Sequence, residues 1–115
     1  MVMDRHFFDE MAGALRARID ELQALEEQNA RDRAPVELDQ TRIGRLSRMD
    51  ALQGQAMAEA QQERRRLERL RIEAALARIA DDAYGECLRC GDEIAEARLR
   101  ADPATPVCVV CAGRS

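Results

Sequence analysis

Apolar residues recur along the first quarter of the chain in alternating steps of three and four. Phe8, Met11, Leu15, Leu22 and Leu25 hold a/d heptad positions with Ile19 alongside, and charged residues fill the other faces. Asp4 stands where an N-cap belongs, so the pattern predicts an amphipathic helix over 4–30. Residues 31–40, RDRAPVELDQ, break it. Pro35 lacks an N–H and disfavours helix at Ala34, while Asp39 is placed to cap a second helix. That helix, longer than the first, is expected over 40–82, with Leu46, Met49, Ala56, Ala60, Leu67, Leu70 and Ala74 on one heptad face. Ile72, Leu76 and Ile79 shift that stripe near its end. Gly44 and Gly54 weaken it by about 1 kcal/mol each relative to Ala.

Two such helices joined by a short break make an antiparallel hairpin. At about 1.5 Å per residue the arms would be roughly 40 and 60 Å long. Folding at residue 36 would set Met11 near Gln61 and Phe8 near Arg64, leaving the last turns of the longer arm beyond its partner. Asp81 and Asp82 end that arm, with Gly85 available for a left-handed C′ position. The expected division is a coiled-coil hairpin over 1–83, its turn about 31–40, and a small module over 84–115.

Composition supports a mainly α fold and limits the core. The chain has 115 residues with no Trp, one Tyr and two Phe, too few aromatic side chains for a large globular interior. Charge is segregated: residues 1–40 hold ten acids and five arginines, 41–80 five acids and nine arginines, and 81–115 seven acids and four arginines. An acidic arm folded against a basic one is the simplest consequence. The run Glu63–Arg66 with Arg69 and Arg71 is the densest basic patch, but no aromatic residues interleave with it and the net charge is −4. It reads as a solvated face laced by pairs such as Glu68 with Arg64 and Glu73 with Arg69, and direct DNA binding is not expected. No run approaches transmembrane length and no signal peptide opens the chain, so a cytoplasmic location is expected.

All four cysteines fall in one stretch, as Cys87-x-x-Cys90 and Cys108-x-x-Cys111 with seventeen residues between the pairs. Each CxxC turn presents two thiolates on one side of a tight loop, and two turns close a four-thiolate site with no open position. One structural Zn²⁺ is the expected cofactor; an all-thiolate iron site fits the same spacing. Reducing compartments favour metal over disulfides. Gly91 suits the first knuckle, and Asp92–Arg100 reads as a short helix or turn stopped by Pro103. The chain ends four residues after Cys111, so no further element is expected. Catalysis finds no support: His6 is the sole histidine, no nucleophile–base set or phosphate loop is present, and a hairpin on a metal base offers no evident concave pocket.

The segments Tyr84-Gly85-x-Cys87-x-x-Cys90-Gly91-x-x-Ile94, Arg98-Leu99-x-Ala101-x-Pro103 and Cys108-x-x-Cys111 together closely resemble the DksA/TraR family of bacterial zinc-finger proteins. The resemblance covers about the last thirty residues and points to a shorter DksA-like form. It implies a transcription regulator that binds bacterial RNA polymerase, not DNA. Its coiled-coil hairpin would enter the secondary channel, in many members together with the alarmone ppGpp. The family's tip carries Asp-x-x-Asp-x-Ala. Here the nearest match is Asn29-Ala30-Arg31-Asp32-Arg33-Ala34, whereas spacing from Cys87 lands on Ser47-Arg48-Met49-Asp50-Ala51. Asp32, Ala34, Asp50 and Ala51 are therefore the candidate tip residues. The alternative is a zinc-stapled coiled coil that docks another protein or a second copy without acting on polymerase.

Overall fold

The computed structural model describes residues 4–32 and 45–114. Its elements are α1 (Arg5–Asp32), α2 (Arg45–Ala80), α3 (Glu96–Ala101) and α4 (Val109–Ala112). Among the described residues there is no strand, only an isolated antiparallel bridge between Glu86 and Glu93. The chain is elongated, 65 × 30 × 20 Å. None of the described helices is long and apolar enough to cross a membrane.

α1 starts where its cap dictates. Asp4 Oδ1 accepts from the Phe7 N–H at 2.9 Å, and the Asp4 carbonyl accepts from Phe8 N–H at 3.0 Å, satisfying two donors that a helix start leaves open. Phe7, Met11, Leu15 and Leu22 are buried, with Phe8 and Ile19 packed beside them. That stripe follows the expected face closely. Leu25 departs from it and is largely exposed.

The register of the hairpin differs from the one expected. The guanidinium of Arg18 grips Glu68 through two bonds of 2.6 and 3.0 Å, and Arg69 donates to Glu26 at 2.7 Å. The start of α1 therefore lies level with the end of α2. Phe8 meets Tyr84 edge-on at 5.9 Å between ring centroids, well away from Arg64. No turns of α2 are left over at the module end; the excess lies at its N-terminal half, where residues 48–64 are all exposed. The reason is that a slip of whole heptads preserves every a/d position, so periodicity alone cannot choose between registers. The aromatic cluster of Phe7, Phe8 and Tyr84 does choose. Of the expected turn at 31–40, only Arg31 and Asp32 fall within the described residues, at the end of α1; Ala34 and Pro35 lie outside them.

The face of α2 that packs is also shifted. Ile72 and Ala75 are buried, with Leu76 and Ile79 half-buried against the same core. Leu67 and Leu70, assigned to the inner face by the heptad count, are 48% and 46% exposed. Where α1 and α2 run side by side, Glu68 and Arg69 occupy the inner positions instead and pair across the hairpin. Glu68 is thus tied to Arg18 and not to Arg64, while Arg69 reaches Glu73 only at 3.9 Å.

α2 ends in a Schellman arrangement. Ala83 N–H reaches the Arg78 carbonyl at 2.8 Å and Asp82 N–H the Ile79 carbonyl at 3.2 Å. The left-handed residue there is Asp82, with φ of 57°, and not Gly85. Gly85, with φ of 91°, serves the first knuckle. One core joins hairpin and module: Phe7, Met11, Leu22 and Ile72 belong to the same cluster as Tyr84, Cys87, Ile94 and Leu99.

Candidate metal centre

The first knuckle is built by backbone bonds that turn the chain back on itself. Cys87 N–H donates to the Asp92 carbonyl at 2.8 Å, Gly91 N–H to the Cys87 carbonyl at 2.9 Å, and Ile94 N–H to the Gly85 carbonyl at 2.7 Å. Gly91 takes φ of 80°, a conformation costly for any residue with a Cβ. In the second knuckle Cys108 is the N-cap of α4, and its sulfur accepts from the Cys111 N–H at 3.5 Å. α4 runs through Cys111 itself, so a short helix forms the second knuckle. Cys87 Sγ accepts from the Arg89 N–H at 3.4 Å.

All four Sγ atoms lie within 4.8 Å of one another, and Cys90 and Cys108 are 3.7 Å apart. A zinc ion bonded to four thiolates at about 2.3 Å has sulfurs about 3.8 Å apart along each edge of its tetrahedron, so the spacing fits. Cys87 and Cys111 are buried, Cys108 is half-buried and Cys90 is exposed. None of the four is in a disulfide.

The thiols are electrostatically unequal. Burial opposes ionisation of Cys87, but backbone N–H groups of Cys108, Cys90 and Arg89 outweigh it and bring the thiol down to about 6. Cys111 is pushed up to about 12, first by its hydrogen bond with Cys108 and then by burial. Four sulfurs this close cannot all carry charge unless a cation sits among them. Zn²⁺ would supply that cation and expel the remaining protons. With every position taken by sulfur, no coordination site remains for substrate or water.

The segment between the knuckles is held from several sides. Leu99 and Ile94 are fully buried, in one cluster with Cys87 and Cys111. Arg98 Nε donates to the Val107 carbonyl at 3.0 Å, one residue before Cys108. Tyr84 donates its hydroxyl to the Pro103 carbonyl at 2.8 Å, and burial pushes its phenol up to about 12, so it stays a donor at neutral pH. Arg100 lies over the Phe7 ring at 5.0 Å and pairs with Glu10 and Glu96. The contacts of Arg98, Leu99 and Pro103 give a physical meaning to their fixed positions in the motif. The role of Arg100 is not legible in sequence, because its partner Glu10 lies 90 residues away on α1.

The other sequence candidates are not brought to this centre. Asp32 ends α1, Asp50 and Ala51 are exposed residues of α2, Ala34 is outside the described residues, and His6 is exposed in the first turn of α1. Contrary to the expectation of no concavity, an open groove of about 620 Å³ lies where the hairpin meets the module, walled by Leu15, Arg64, Arg71, Ile72 and Pro103.

Residues 83–115 match the prokaryotic dksA/traR C4-type zinc finger. An uncharacterized protein of Aquifex aeolicus is 51% identical over 41 residues, 36% of this chain and only 28% of that protein. Two solved structures resemble the whole chain. Transcription factor DksA2 of Pseudomonas aeruginosa matches with a TM-score of 0.74 and 28% identity over 97% of this chain and 84% of that one. The DnaK suppressor protein of Agrobacterium tumefaciens matches at 0.59 and 25%, over 100% and 96%. A hairpin of the same shape, carrying a C4 module whose four sulfurs are spaced for zinc, makes the chain a DksA-like four-cysteine zinc-finger protein with a structural zinc.

Proposed function

We propose that this chain is a transcription regulator that binds bacterial RNA polymerase and reaches into its secondary channel with the distal end of the hairpin. The observation that carries the reading is the likeness to transcription factor DksA2 over 97% of the chain, hairpin and module together. In this reading residues 1–83 are the probe and 84–115 the base. Cys87, Cys90, Cys108 and Cys111 each give one thiolate to the zinc that stiffens the base. The protein acts by occupancy and charge, not by catalysis.

The register of the arms bears on the tip. With Arg18 paired to Glu68 and Glu26 to Arg69 across the hairpin, residue 50 lies farther from the module than the last residue of α1. That supports Asp50 over Asp32 as the acid carried deepest. Open-complex lifetime at a ribosomal promoter, with purified polymerase, tests the proposal. The wild type is expected to shorten it, Asp50→Asn to abolish the effect while still binding, and Asp32→Asn to retain most of it. Adding ppGpp to the same assay tests whether the nucleotide strengthens the effect. A chain that leaves lifetimes unchanged at saturating concentration would overturn the proposal.

One observation favours the second reading, a docking coiled coil without action on polymerase. Leu52, Met57, Leu67 and Leu70 of α2 face solvent. Light scattering across a concentration series separates the two, since self-association through α2 gives a mass that grows with concentration.

A further inference from the structure

The two knuckles contribute two sulfurs each, yet little protein joins them directly. Leu88 N–H bonds to the Pro106 carbonyl at 2.9 Å, from the first knuckle to the lead-in of the second, and the Cys108 backbone N–H acts on the Cys87 sulfur. A further tie is made by a side chain. Arg89, between the two cysteines of the first knuckle, extends its Nη1 to the Arg114 carbonyl at 2.9 Å and to the Cys111 carbonyl at 3.3 Å. The same residue's backbone N–H points at the sulfur of Cys87. One residue thus touches the first cysteine of the site and the last.

We infer that Arg89 is a positioning residue of the zinc site, a clamp that closes the second knuckle over the metal and slows its loss. Its targets are carbonyls in the last turn of α4 and just beyond, where the carbonyl ends of a helix favour a cation; the Cys111 carbonyl also accepts from the Arg114 N–H at 3.1 Å. Charge-assisted bonds of this kind are stronger than neutral ones. The cation also sits beside a cluster that carries two net negative charges once four thiolates hold Zn²⁺. Without the clamp, Cys111 is held by α4, by burial and by the metal alone, and the turn bearing it can swing away once its sulfur lets go. Partners that orient metal ligands from outside the coordination sphere typically change affinity by about 10–100-fold.

The inference rests on the four sulfurs being zinc ligands, and the test separates the two claims. Zinc release from the purified full chain to an excess of chromogenic chelator would be timed for the wild type, Arg89→Met and Arg89→Lys. The absorption of the Co²⁺-substituted forms would be recorded alongside. Arg89→Met is expected to release zinc about tenfold faster while its Co²⁺ spectrum stays that of a tetrahedral four-thiolate site. Arg89→Lys, which keeps the charge and can still reach a carbonyl, is expected to recover part of the lost retention. Equal release rates for all three proteins would overturn the clamp and leave the zinc site standing. A wild type that binds neither zinc nor Co²⁺ would overturn both. Should Arg89→Met not fold, Arg89→Gln, which removes the charge and shortens the reach, decides against wild type: a release rate indistinguishable from wild type, with amide exchange at Ala112–Arg114 also unchanged, sinks the clamp.

Discussion

Single residues decide how the hairpin is held to its base. Tyr84 packs on Phe8 and donates its hydroxyl to the Pro103 carbonyl. Tyr84→Phe keeps the ring contact and removes a half-buried hydrogen bond, so it should cost about 1 kcal/mol in urea unfolding. Asp82 is the left-handed residue of the Schellman turn, which a residue without Cβ adopts more freely. Asp82→Gly should stabilise the chain by several tenths of a kcal/mol, read as a higher urea midpoint at unchanged slope. Glu68 gives a pH signature. Its hydrogen bond from Arg18 holds the carboxyl below the ordinary carboxylate range. A group depressed in the folded state contributes stability that is complete above its unfolded value and lost as pH falls through the folded one. The stability gap between wild type and Glu68→Gln should therefore be widest near neutral pH and close in acid; a gap that is constant with pH would contradict the pair.

At the scale of elements, α1 and the metal knuckles are legible in sequence and the pairing of the arms is not. The N-cap at Asp4 and the two CxxC turns are local: their partners lie within a few residues, so spacing alone specifies them. Register depends on contacts across fifty residues, such as Arg18 with Glu68, and heptads slide past one another without penalty until such a contact is made. The inner face of α2 escapes the heptad count for a related reason. Leu67 and Leu70 satisfy a hydrophobic count, but charged pairs hold the inner positions and Ile72 and Ala75 are the packed ones. The exposed first half of α2 rests on helix propensity, and Gly54 within it has no atom within 4 Å of where a Cβ would stand. Gly54→Ala should thus raise stability by about 1 kcal/mol without altering the zinc module. Helical content by circular dichroism and the urea midpoint should rise together.

For the whole molecule, one continuous core couples metal to hairpin. Phe7 and Met11 of α1 share a cluster with Ile94, Leu99 and two of the cysteines, and Arg100 of α3 pairs with Glu10 of α1. Removing zinc should accordingly do more than loosen residues 84–114. Amide exchange should increase in the first turns of α1 and the last turns of α2 as well, while zinc readdition restores both. Exchange confined to the knuckles would mean that the base and the probe are independent. The coupling also gives a metal with no vacant position a structural role: it fixes the platform from which the arms project. The measurement that bears most directly on the proposed function is equilibrium binding of the zinc-loaded chain to purified bacterial core RNA polymerase. Saturable binding at micromolar concentration or tighter, lost when Cys108 and Cys111 are replaced by Ser, is the expected result. No binding of the zinc-loaded wild type at micromolar concentration would contradict it.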